Sequence, residues 1–149
     1  TSMMEGEAKD AGAFFAAIAK EIRRFGRPLE APCAIIAGGE NVVSIRGGKI
    51  GEGGPNQEFA LSASLKISGL RSVVIISIDT DGSDGPTRIA GALVDGGSMS
   101  MAVNKGLHPE QALIDHDTSN LIHQIGDDIV TGPTGTNVND LKILLVGQE

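Results

Sequence analysis

The sequence has no tryptophan, no tyrosine and only 4 phenylalanines, so aromatic residues make up 3% of it. Surfaces that bind single-stranded nucleic acid stack bases on exposed aromatic rings, and that function class is set aside. Positive charge is also scarce: 12 Lys and Arg stand against 19 Asp and Glu, a formal charge of −7 at pH 7. Phosphate backbones are held by basic surfaces, which removes duplex binders as well. Small anions stay open, because a local loop can bind what the net charge repels. Cys33 is the single cysteine; it allows no internal disulfide, fits a reducing compartment, and reads as a small buried hydrophobe in an apolar run. No segment approaches the length needed to span a bilayer. The opening residues, Thr-Ser-Met-Met-Glu-Gly-Glu, lack the basic and apolar regions of a secretory signal. The expectation is a cytoplasmic protein with neither a membrane nor a nucleic-acid partner.

Glycine, by contrast, is plentiful: 21 residues, clustered at 38–39, 47–54, 82–85, 96–97 and 132–135. Such clusters mark loops that turn tightly or admit a ligand close to the backbone. Between them the periodicity alternates between helix and strand. Ala11, Phe15, Ile18, Ile22 and Phe25 form one apolar stripe within a helix over 5–25, closed by Gly26 and Pro28. Strands are predicted at 33–37, 41–46, 71–78, 129–130 and 141–146. Helices are predicted at 59–67, 98–105, 109–114 and 117–125, while 89–94 is ambiguous. The run Val73-Val74-Ile75-Ile76-Ser77-Ile78 reads as a strand buried on both faces. The predicted fold is therefore a single α/β domain over 1–149, Rossmann-like, with a small mixed or mostly parallel sheet flanked by helices on both faces.

That strand breaks into Asp79-Thr80-Asp81-Gly82-Ser83-Asp84-Gly85-Pro86-Thr87. Ligands of open α/β sheets collect beyond such strand ends. Clustered carboxylates repel one another unless a cation, a basic group or water separates them. Asp81 and Asp84 are candidates to hold Mg²⁺ against a phosphate; a plain Asx-rich turn is the alternative. A calcium EF-hand loop fails, since Asp84 and Ala90 stand where its glycine and glutamate belong. The loop 47–58 leads into a predicted helix whose N-terminus suits an anion. It is no P-loop, because no Gly-Lys-Ser/Thr follows its glycines. Residues 131–140 carry a third dense set of Thr, Asn and Asp. His108, His116 and His123 have no ligand-like spacing and are assigned surface or capping roles.

Taken together, Gly-Gly-Pro-Asn-Gln-Glu (53–58), Thr-Asp-Gly-Ser-Asp-Gly-Pro-Thr (80–87) and Thr-Gly-Pro-Thr-Gly-Thr-Asn-Val-Asn-Asp-Leu (131–141) resemble the MOFRL domain. This is the C-terminal part of class II glycerate 2-kinases, whose members are sometimes labelled hydroxypyruvate reductases. Gly-Glu-Ala (6–8) and Gly-Gly-Glu (38–40) fit the same pattern. The resemblance implies ATP-dependent phosphorylation of D-glycerate to 2-phosphoglycerate, with Mg²⁺, in a cleft shared with an N-terminal domain that these residues do not include. It implies catalytic roles for Asp81 and Asp84, both at the metal. Substrate contacts would come from Gly53, Gly54, Asn56, Gln57, Glu58, Thr87, Thr134, Thr136, Asn137 and Asn139.

Two positions depart from the family pattern. Pro55 stands where many members have arginine, and Arg88 where they have an acidic residue. Arg88 is taken to supply the displaced charge, with Arg46 and Lys49 as the next candidates. The isolated domain is expected to fold without turning over. A stand-alone module for a phosphorylated metabolite and a dimerisation domain remain the alternatives, and homodimer formation is left open.

Overall fold

Helix α1 (Ala8–Phe25) forms over the predicted stripe and stops at Gly26, whose left-handed φ of 65° gives the C-cap a conformation that glycine tolerates without strain. The computed structural model describes residues 1–47 and 50–148. Phe15, Ala16, Ala19 and Ile22 of α1 are buried, whereas Phe25 points mostly to solvent. Gly12 packs on the backbone of Phe59, where a Cβ would collide. That close approach brings α1 onto α2 (Pro55–Ile67), with the Phe15 and Phe59 rings edge-on at 5.3 Å. Pro55 opens α2 at a position needing no N–H donor, and almost every residue of this helix is buried.

The sheet comprises β1 (Cys33–Gly39), β2 (Val73–Asp79), β3 (Gly91–Asp95), β4 (Asp128–Ile129) and β5 (Asp140–Val146) in the order β1-β5-β2-β3-β4. Every neighbouring pair is antiparallel, which corrects the expectation of a mixed or mostly parallel, Rossmann-like sheet. The reason lies at the C-terminus. β1 and β2 run the same way on either side of α2, as the βαβ-like pattern suggests, but β5 inserts between them and runs against both. Order along the chain carries no signal for such an insertion.

The helices cover one face rather than both. Ile75, Ala92, Val94, Leu144 and Val146 join the buried core with side chains of α1, α2, α3 (Ser98–Asn104) and α5 (Thr118–Ile125), while the alternate positions Val74, Ile76 and Ile143 lie outside it. Helix α4 (Pro109–Ile114) falls where predicted. The ambiguous 89–94 segment becomes β3. The strand expected over 41–46 is absent: Val42 makes an isolated parallel bridge with Glu7 and nothing more regular follows among the described residues. Lys49 lies outside the described residues. Among the described residues no helix is long and apolar enough to cross a membrane.

Candidate functional site

The three loaded segments meet at one end of the sheet. β2 ends at Asp79, and the following loop folds Asp84 back over the start of α2. A Cβ on Gly54 would collide with the Asp84 carboxylate, so only glycine admits the approach. Asp84 is 1% exposed. Its Oδ1 accepts from the Asn56 N–H (3.0 Å) and Nδ2 (3.1 Å), and its Oδ2 from the Gln57 N–H (2.9 Å) and Nε2 (3.1 Å). A helix N-terminus with free amides attracts an anion; here the anion is the protein's own aspartate.

The network continues inward. Asn56 Oδ1 accepts from Ser77 Oγ (2.6 Å), and its Nδ2 donates to Asp140 Oδ1 (2.8 Å). Asp140 Oδ2 pairs with Lys142 Nζ at 2.6 Å, and that lysine is wholly buried with its ammonium 5.7 Å over the Phe59 ring. Burial lowers the Lys142 pKa, opposed by the hydrogen bond and charge of Asp140. Gln57 also donates to Thr87 Oγ1 (3.1 Å) and accepts from Ser119 Oγ (2.6 Å). Glu58 Oε1 lies 2.7 Å from His116 Nδ1. Burial raises the Glu58 carboxyl, and the His116 contact partly offsets it.

Asn56, Gln57, Asp84 and Thr87, expected to face a ligand, are therefore buried and matched to one another, and Glu58 is buried against His116. Both Asp84 oxygens, expected at a metal beside Asp81, accept from four amide donors. Among the described residues no group of three or more His, Cys, Asp or Glu side chains is placed to hold a metal ion. Sequence reasoning missed Lys142, Ser77, Ser119 and His116. Lys142 did leave a signal, a lone cation inside the apolar run Leu141–Val146.

The exposed part is the rim. Loop 80–89 and loop 130–139 are laced together: Thr134 N–H donates to Asp81 O (3.1 Å), Thr80 Oγ1 to Asn139 O (2.7 Å), and Val138 N–H to Thr80 Oγ1 (2.8 Å). Gly82, at φ 99°, packs on the Gly132 carbonyl, where a Cβ would clash. Gly82→Ala is expected to cost about 2 kcal/mol through backbone strain and separation of the two loops; a urea denaturation curve measures it. Between the loops opens a cavity of about 600 Å³ lined by Asp81, Ser83, Thr87, Arg88, Gly132 and Pro133. Asp81 Oδ1 accepts from Ser83 N–H (2.8 Å) and Oγ (2.9 Å), and Oδ2 has no partner among the described residues. Arg88 is exposed and makes no ion pair among them. Thr134, Thr136, Asn137 and Asn139 are exposed on loop 130–139 but do not line this cavity, and Asn139 lines another with Met4, Gly39 and Glu40. Arg46 lines a different cavity with Glu7, Lys9 and His116.

Residues 33–140 match the MOFRL family. The chain belongs to that family. It is 49% identical over 146 residues to the glycerate 2-kinase of Pyrococcus horikoshii, covering 98% of this chain and 33% of that protein. Against the D-glycerate 2-kinase of Thermotoga maritima it is 46% identical over 146 residues, covering 98% and 34%. The crystal structure of the Thermotoga maritima glycerate kinase superposes with a TM-score of 0.94 over 97% of this chain and 34% of that one. This MOFRL chain thus spans about a third of the length of the curated relatives it matches.

One electrostatic consequence for the MOFRL fold follows from Asp84. Burial pushes its carboxyl from 3.8 up to about 6, against the pull of the four amide donors. A folded-state value above the unfolded one favours the protonated form in the fold. This contribution to stability is complete below about pH 4 and lost as the pH rises through about 6. Urea midpoints of the parent, taken relative to Asp84→Asn, are expected to fall across that window; a flat difference contradicts the assignment.

Proposed function

We propose that these residues are the MOFRL part of a glycerate 2-kinase, a cytoplasmic enzyme that moves the γ-phosphoryl group of ATP to D-glycerate, giving 2-phosphoglycerate. The observation that carries this reading is the cavity shared by Asp81 and Arg88, on a chain covered almost end to end by glycerate 2-kinases. The glycerate hydroxyl oxygen forms the new bond to the γ-phosphorus as its proton passes to solvent, the bond to the bridging oxygen breaks, and ADP leaves with that oxygen. Phosphoryl transfer depends chiefly on positioning and charge neutralisation.

In this reading Arg88 faces the transferred group and offsets its charge, in place of the arginine that Pro55 displaces. Asp81, with a free oxygen, is the side chain that would hold Mg²⁺. One carboxylate with nucleotide phosphates is a usual Mg²⁺ arrangement, and the ion neutralises phosphate charge when bound. Gly54 lets Asp84 of the acidic loop sit close to α2, Gly53 lets His116 and Thr118 approach the same turn, and Thr134, Thr136, Asn137 and Asn139 give polar contacts to the ligand. Asn56, Gln57, Glu58, Asp84 and Thr87 act as positioning residues that hold the rim. The other wall of the cleft comes from an N-terminal domain beyond these residues.

A coupled assay with ATP and D-glycerate tests the proposal. The full-length protein is expected to turn over and the 149-residue chain alone to be inactive. Absence of turnover in the full-length protein, or kinase activity from this chain alone, overturns it.

A further inference from the structure

The outer face of the sheet is aliphatic, although no helix among the described residues covers it. Register places Ile36, Ile143, Ile76 and Leu93 in one row across four strands, with Leu145 and Val74 in the next. Ile36 is 61% exposed, Leu145 42% and Leu93 40%. A one-sided antiparallel sheet ordinarily alternates apolar and polar residues, and an apolar patch of this extent marks an interaction surface.

The sheet also has an open edge. β1 pairs with β5 on one side only. On its other side Gly38 N–H donates to Thr1 O (2.8 Å) and Met4 N–H to Gly38 O (2.9 Å), a short parallel pairing of Met4 with Gly39. Alternate residues of a strand send their backbone groups to the same side. Ile36 and Ala34 therefore present N–H and C=O groups outward along the same edge, past the point where residues 1–4 stop pairing. Ser2 lies over Gly38 on the outer-face side. An open edge beside an aliphatic face is a site for strand addition.

We propose that polypeptide preceding Thr1 in the longer protein continues this parallel pairing as a sixth strand along β1 and folds apolar residues over the outer face. The inference rests on the reading of this chain as part of a longer kinase, whose relatives carry about twice as many residues outside the match as within it. It assigns the covering layer to the same polypeptide rather than to a second copy, because Thr1 is already seated at the rim of that face.

Amide hydrogen exchange tests it without a variant. The Ile36 and Ala34 amides are expected to exchange at least about a hundredfold more slowly in the full-length protein than in the chain beginning at Thr1. A Leu145→Cys thiol, in a Cys33→Ala background, is expected to react with maleimide quickly in the shorter chain and slowly in the longer one. Equal, fast exchange and labelling in both overturns the proposal. So does protection in the shorter chain that rises with its concentration and is unchanged in the longer one, because that pattern assigns the edge to a second copy. The readouts do not involve kinase activity: a protected but inactive full-length protein sinks the functional reading alone, and an active but unprotected one sinks this inference alone.

Discussion

Asp84→Ala is expected to cost the fold about 3–5 kcal/mol at pH 7, the range for breaking a buried, charged hydrogen-bonded group. The carboxylate satisfies two backbone amides of the first turn of α2 and the side-chain amides of Asn56 and Gln57. Alanine leaves all four donors in a space that water reaches poorly, since Asn56 and Gln57 are themselves buried. The loss extends further, because Asn56 also ties Ser77 to Asp140 and Gln57 ties Thr87 to Ser119. Asp84→Asn keeps the shape but turns an amide toward amides, so it recovers part of the loss. Urea denaturation at fixed pH measures both variants. A penalty below about 1 kcal/mol for alanine, the size of an ordinary neutral hydrogen bond, contradicts the role given to Asp84.

Arg88→Ala is expected to do the opposite: little harm to the fold and a large loss of turnover. Arg88 is exposed and has no ion pair among the described residues, so its removal should change stability by no more than about 0.5 kcal/mol. If it neutralises charge on the transferred phosphoryl group, as proposed, kcat of the full-length protein falls by about a thousandfold, the scale of losing an arginine at a phosphoryl-transfer centre. The effect belongs in kcat rather than in the KM for glycerate, because the charge develops as the phosphoryl group moves. Arg88→Lys restores part of the rate with a point charge but not the planar fork. Turnover within a few-fold of the parent removes Arg88 from the proposed chemistry and returns the question to Pro55.

Much of the local structure was legible because its causes are local. The stripe from Ala11 to Phe25 with Gly26 behind it specifies α1, Pro109 opens α4, and Pro55 opens α2. The loading of 53–58, 80–87 and 131–140 with glycine and short polar residues was legible too, and these segments meet at one end of the sheet. What could not be read was which polar group answers which. Asn56, Gln57 and Asp84 have the residue types of a binding site, and a sequence does not say whether an amide meets a ligand or another side chain. The place of β5 between β1 and β2 depends on pairing across a hundred residues of chain, and no turn or periodicity marks it. Lys142 was visible as an oddity in an apolar run, but its partner Asp140 looked like the end of a ligand loop.

The internal match of Asp84 with the first turn of α2 also bears on how substrate choice can change. The strings Gly-Gly-Pro-Asn-Gln-Glu and Asp-Gly-Ser-Asp-Gly-Pro-Thr contribute much of their polarity to cohesion of the molecule itself. Under the proposed function, selectivity would drift through the exposed arginine, threonines and asparagines while these strings stay fixed, and two proteins with the same signature would not need to accept the same small molecule.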